Sequence, residues 1–180
     1  MPLIPGFDKT IKDWFSVRDW ELPSGFIPGA AVYHDMIRER SGKMNIVSRN
    51  DLGILLERHI LDSLVPLEKI PARGLLCDIG SGAGFPAIPI ALARPELDIV
   101  MIESRRKKVS FLDAVIAKLE LSRVSVREGR FEDFSPESEA DIITIRAVAL
   151  TEKIRKHSRK ILKESGKLIY YNKFGSCRLI

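Results

Sequence analysis

The chain predicts an α/β fold: a doubly wound, mostly parallel sheet with an N-terminal helical cap. Three observations carry this. From Leu75 onward, short apolar runs alternate with helical stretches, the β-α-β rhythm that winds a parallel, right-handed sheet. One such run, Leu97–Glu103, is almost continuously apolar, as a strand covered on both faces must be. Another run ends in an acid and three alternate glycines, Asp78-Ile79-Gly80-Ser81-Gly82-Ala83-Gly84, which turn a strand sharply into a helix.

Taken in order, residues 1–64 read as the cap and residues 65–180 as the core of one compact unit. Asp8 caps a helix that runs through Trp20, with Ile11, Trp14, Phe15 and Arg18 along one face. Leu22 to Gly29 breaks it with prolines and glycines. A second helix is expected from about Ala30 to Arg40, ended by Ser41-Gly42. A third is expected over about Asn50 to Leu64, with Leu52, Leu55, Leu56 and Ile60 at helical spacing. The core then reads as strand Leu75–Ile79, helix Ala87–Ala93, strand Leu97–Glu103, helix Lys107–Leu121 and strand Val124–Arg127. Strand Asp141–Ile145, helix Leu150–Glu164 closed by Ser165-Gly166, and strand Lys167–Tyr171 complete it.

Composition narrows the function. The 180 residues carry 29 Lys+Arg against 24 Asp+Glu, a net charge of +5, which permits a polyanionic partner such as RNA. No apolar run reaches the ~18 residues of a membrane span, so no membrane is expected. The first residues lack the basic-then-apolar order of a signal peptide. Cys77 and Cys177 read as reduced thiols of a cytoplasmic protein, and no Cys/His spacing calls for a metal. Nothing reads as a dimer seam, so a monomer is expected.

Ligands of such sheets lie beyond the carboxyl ends of the strands. The glycine turn suits either a dinucleotide or S-adenosylmethionine. The dinucleotide fingerprint is G-x-G-x-x-G; here the spacing is G-x-G-x-G, followed by Phe85 and Pro86. Phe85 crowds a pyrophosphate but can line an adenosine or methionine pocket. Asp78, just before the glycines, suits a cationic amino group. The reading therefore favours S-adenosylmethionine, with Asp78, Gly80, Gly82 and Phe85 as cofactor contacts. Glu103 ends the second strand, where an acid can accept both ribose hydroxyls, as in dinucleotide sites; a helix-start acid is the plainer alternative. Phe131 and Glu132 follow the third strand and can serve adenine, or be core and surface turn. Arg105-Arg106-Lys107-Lys108 opens a helix against its dipole, so phosphate contact competes with a solvated face. The basic series Lys153 to Lys163 suits its helix end and reads as structural. His59 and Ser63 share a helix face, and with no nucleophile elbow in view they read as a hydrogen-bonded structural helix end.

The chain resembles the RsmG (GidB) family, 16S ribosomal RNA guanine-N7 methyltransferases that use S-adenosylmethionine. The matching pieces are Met44-Asn45-Ile46, Arg58-His59-Ile60-Leu61-Asp62-Ser63-Leu64 and Asp78 to Pro89. Glu103-Ser104, Lys107-Lys108-Val109, Phe111-Leu112, Arg130 to Phe134 and Arg146-Ala147 also fit. The resemblance implies a class I methyltransferase, Rossmann-like fold acting on 16S ribosomal RNA or the small-subunit particle. It implies cofactor contacts at Gly80, Phe85, Phe131, Glu132 and Arg146, and an RNA face at Lys107 and Lys108. Arg58, Arg105 and Arg106 are set with that face. The family's final β-hairpin is expected to be reduced or missing, because the sequence ends at Ile180 soon after the last predicted strand. Guanine N7 presents a free lone pair, so no dedicated general base is expected, and Arg146 is expected to position cofactor or nucleotide.

Overall fold

A computed structural model describes residues 5–44, 46–172 and 176–180. Asn45, one piece of the resemblance, lies outside the described residues. Among the described residues, six strands form one sheet in the order β3-β2-β1-β4-β5-β6. They are β1 (Gly74–Ile79), β2 (Leu97–Glu103), β3 (Val124–Glu128), β4 (Ala140–Arg146), β5 (Leu162–Tyr171) and β6 (Cys177–Leu179). β1 to β5 pair in parallel, and only β6 is antiparallel, against β5. β6 is a strand of three residues that follows β5.

The helices are α1 (Phe7–Ser16), α2 (Phe26–Met44), α3 (Ala87–Ala93), α4 (Arg106–Lys118) and α5 (Glu152–Ile161). Side chains that alternate along the strands split between two apolar clusters. Leu76, Met101 and Ile142 join α1, α2, α3 and α4 on one face. Cys77, Ile102 and Ile143 join Phe131 and α5 on the other.

Several boundaries differ from expectation. α1 ends at Ser16 rather than Trp20, and Gly6, not Asp8, stands at its N-cap. α2 starts four residues before Ala30, because Phe26 is buried edge-on against Phe15, 5.1 Å away. Pro28 falls in its first turn, where a missing N–H costs nothing. Ser41-Gly42 does not stop it: the Ser41 hydroxyl donates to Ile37 O at 2.7 Å and the helix runs on. Residues 49–64 are no single α-helix. They form a 3₁₀ turn (Arg49–Ile54), a π turn (Leu56–Leu61) and a second 3₁₀ turn (Asp62–Leu64). Leu55 and Ile60, and Leu56 and Leu61, are buried pairs five residues apart, and a π turn brings that spacing onto one face.

α4 ends at Lys118, where Glu120 takes φ 54° and Leu121 N–H reaches back to Ile116 O at 3.1 Å. α5 is shorter at both ends than 150–164. Thr151 caps it, its hydroxyl accepting from Ile154 N–H at 3.2 Å, and β5 already begins at Leu162. Ser165-Gly166 therefore lies inside β5, at a register shift between Ala140 and Ile142. Gly166 fits there because a Cβ would come within 3.0 Å of Ala140 O.

Candidate functional site

β1 delivers the glycine loop to the middle of the sheet's carboxyl edge, between β2 and β4. Gly80, Gly82 and Gly84 take φ 68°, 60° and 101°, which residues with a Cβ rarely adopt. The three have different neighbours. A Cβ on Gly80 would meet Val148 Cγ2 at 2.5 Å. A Cβ on Gly82 would meet nothing nearer than 3.6 Å, so its requirement is conformational. Gly84 is packed shut, with Tyr33 Oη 3.0 Å from where a Cβ would be. Tyr33 also donates to Ala83 O at 2.8 Å, so α2 grips the loop.

The loop forms one wall of a cleft of about 460 Å³. Gly80, Gly82, Phe85, Glu103, Arg105, Lys108 and Arg146 line it, with Asp51 and His59 from the turns before β1. Glu103 is 5% exposed and joins two segments: one oxygen accepts from Gly82 N–H and the other from Arg105 N–H, each at 2.9 Å. It thus places a carboxylate at the start of α4, where three cations follow in the sequence.

Asp78 is fully buried and lies behind the loop, outside the cleft lining. Thr144 on β4 donates to its Oδ1 at 2.7 Å, while Oδ2 has no hydrogen-bond partner among the described residues. Burial pushes its carboxyl up to about 7, against the pull of hydrogen bonds and of Arg146. Phe131 is buried edge-on to His157 at 4.9 Å, and it and Glu132 lie outside the lining. Arg106 and Lys107 are exposed at the start of α4, also outside it. Burial raises the Cys77 thiol to about 12, so it stays protonated at neutral pH.

The wall opposite the glycines is made of side chains. Arg146, at the end of β4, pairs with Asp62 at 2.8 Å and donates to Arg58 O at 2.9 Å and Ser63 Oγ at 3.2 Å. Burial raises the Asp62 carboxyl even beside Arg146: desolvation exceeds the attraction. Tyr171 on β5 donates to Ser63 O at 2.6 Å. This network holds the π turn, and with it His59, over the cleft. The His59 ring lies 5.1 Å from Phe85. Burial, then Arg146, holds its pKa below the usual range. By sequence alone His59 reads as structural, and Asp51 carries no motif that marks it. The available signal was only that both sit in the segment that precedes β1.

The fold and cleft define an α/β protein of the class I methyltransferase architecture. A candidate S-adenosylmethionine-dependent methyltransferase of Methanococcus maripaludis superposes with a TM-score of 0.59 at 20% identity, over 79% of this chain and 64% of its own. The P. horikoshii protein TYW2, solved in complex with MeSAdo, gives 0.57 at 22% identity, over 63% and 43%. The chain belongs to the GidB family, rRNA small subunit methyltransferase G, whose model matches residues 27–174. The ribosomal RNA small subunit methyltransferase G of Nitrosomonas eutropha is 38% identical over 133 residues, 74% of this chain and 62% of that protein. Its counterpart from Corynebacterium diphtheriae is 34% identical over 168 residues, 88% and 75% of the two chains. The chain thus spans about three fifths of the length of the Nitrosomonas relative. Among the described residues, no helix is long and apolar enough to cross a membrane.

Proposed function

We propose that the chain transfers a methyl group from S-adenosylmethionine to N7 of a guanine in 16S ribosomal RNA, free or in the small-subunit particle. It does so in the cytoplasm, as a monomer and without a metal. One observation carries the cofactor half of this reading: the cleft opens where the left-handed glycines meet the buried carboxylate of Glu103. Family membership carries the RNA half.

The residues present fit the cofactor. A cleft of about 460 Å³ is of ligand size. Each Glu103 oxygen already accepts one backbone N–H and keeps a second lone pair for a ribose hydroxyl. Phe85 offers an apolar surface, Gly80 and Gly82 keep Cβ atoms out of the way, and Arg146 lines the wall beyond. Asp78, Phe131 and Glu132 act from behind this lining, by shaping the loop and the turn after β3. S-adenosylmethionine, when bound, supplies an electrophilic methyl group on sulfur. Guanine N7 has no proton to remove, so the chain's work is to hold the base in line and exclude water. Arg146, fixed by Asp62, Ser63 and the Arg58 carbonyl, is the positioning residue. Arg105, Arg106, Lys107, Lys108 and Arg58 meet phosphates on the RNA. Residues 1–64 act as a cap on the core of residues 65–180; their shared apolar cluster supports one cooperative unit.

Calorimetric titration with S-adenosylmethionine, repeated on Gly80→Arg, tests the cleft. Micromolar-scale binding that the variant loses is expected; equal binding by both proteins would reject the cleft as the site. Methyl transfer to small-subunit RNA that weakens steeply with salt separates an RNA substrate from a small molecule.

A further inference from the structure

The cleft does not end at Arg146. Asp51, His59 and Arg146 also line a second hollow of about 700 Å³, whose far wall is Tyr170, Tyr171 and Asn172. A planar group seated there faces the glycine loop across these shared residues. Among the described residues, Asp51 is the one carboxylate common to both linings.

Asp51 is held in place. Its N–H bonds Ser48 Oγ at 3.2 Å, and the Ser48 hydroxyl donates back to Oδ2 at 2.7 Å. Arg58 Nη1 stands 3.5 Å from Oδ1, and His59 Nε2 stands 3.7 Å from Oδ2. The Ser48 hydrogen bond, with His59 and Arg58 beside it, holds the carboxyl below its usual range, so at neutral pH it only accepts. Nε2 of His59 is buried with no hydrogen-bond partner among the described residues, 3.7 Å being too long for one.

We propose that Asp51 selects guanine, accepting hydrogen bonds from N1–H and the exocyclic N2 amino group of the target base in this second hollow. The inference rests on the guanine-N7 reading and deepens it. Guanine offers two adjacent donors, N1–H and N2–H, with the O6 acceptor alongside. An ionised carboxylate accepts from the two donors, and His59 with its proton on Nε2 donates to O6. Adenine turns a lone pair at N1 toward the same carboxylate, and two acceptors cannot pair. A base gripped by this edge leaves N7, across the ring, uncovered for the methyl group.

The test uses the whole chain with small-subunit RNA. The methylated guanosine is located by mass spectrometry, and that single position is replaced by inosine, which lacks only the N2 amino group. Wild-type protein and Asp51→Asn are then assayed on both RNAs. For the wild type, kcat/KM is expected to fall about tenfold on inosine, the loss of one hydrogen bond to a charged acceptor. Asp51→Asn is expected to fall by a similar factor on guanosine and to lose nothing more on inosine. Equal wild-type rates on the two RNAs, which require no variant to fold, overturn the assignment while leaving the guanine reading intact. So do two penalties that multiply in the variant. Methylation of no guanosine by the wild-type protein overturns both.

Discussion

The two walls of the cleft are built by different means. The wall after β1 is backbone: left-handed glycines, N–H groups and one carboxylate that ties Gly82 to Arg105. The wall after β4 is a web of side chains, in which Arg146 meets Asp62, Ser63 and the Arg58 carbonyl while His59 leans on Phe85. A backbone wall tolerates little: Gly80 and Gly84 have no room for a Cβ, and Gly82 holds a conformation that a Cβ disfavours. A side-chain wall tolerates changes that keep its charges paired. The first suits a ligand that is the same in every turnover, the second a selected one.

Four measurements sharpen or break this contrast. The largest effect belongs to Asp78, the buried acid behind the backbone wall. Its carboxyl titrates near 7 in the folded chain and in the ordinary carboxylate range when unfolded. The folded state therefore holds the proton to higher pH. Stability is fully present below the unfolded range and is lost as pH rises to about 7, a change of about 4 kcal/mol. Thermal melts between pH 5 and 8 should show a falling midpoint, and Asp78→Asn should flatten that slope. An unchanged slope in the variant removes Asp78 as its source.

Next comes Gly80→Arg, whose Cβ meets Val148 in a backbone conformation that arginine resists. Cofactor affinity should fall at least about 100-fold, close to 3 kcal/mol. In the opposite wall, Asp62→Ala strips the partner from a largely buried guanidinium and should cost about 1–3 kcal/mol in urea unfolding. No loss of stability there would mean that Arg146 is held by its other acceptors alone. The smallest effect is that of Tyr171→Phe, which removes one hydrogen bond to Ser63 O and should cost about 1 kcal/mol.

The two walls also differ in how well they can be read from sequence. Ala87–Ala93 and Leu97–Glu103 have the limits expected of them, because a short apolar helix ended near Arg94-Pro95 and a continuous apolar strand are local patterns. The glycine turn is local too, since it needs only one backbone shape. Glu103 was legible as a strand-end acid, though not as the residue that joins two loops. The side-chain wall hides from such reading. Arg146 finds its partners 83 and 88 positions upstream, and no spacing rule reaches so far. The 49–64 segment reads as helical by its leucines, and only burial of pairs five apart opens it into a π turn that presents His59. β5 hides its start behind Ser165-Gly166, a helix-ending pair in isolation that here sits at a register shift.

Tyr33 has a consequence for how this chain can be re-engineered. Its hydroxyl is bound to Ala83 O, its ring lies 5.4 Å from Phe85, and it closes the space over Gly84. The second helix and the glycine turn are therefore mechanically joined. A chimera whose first 64 residues bring no tyrosine to position 33 would leave Ala83 O without its donor and open the space beside Gly84.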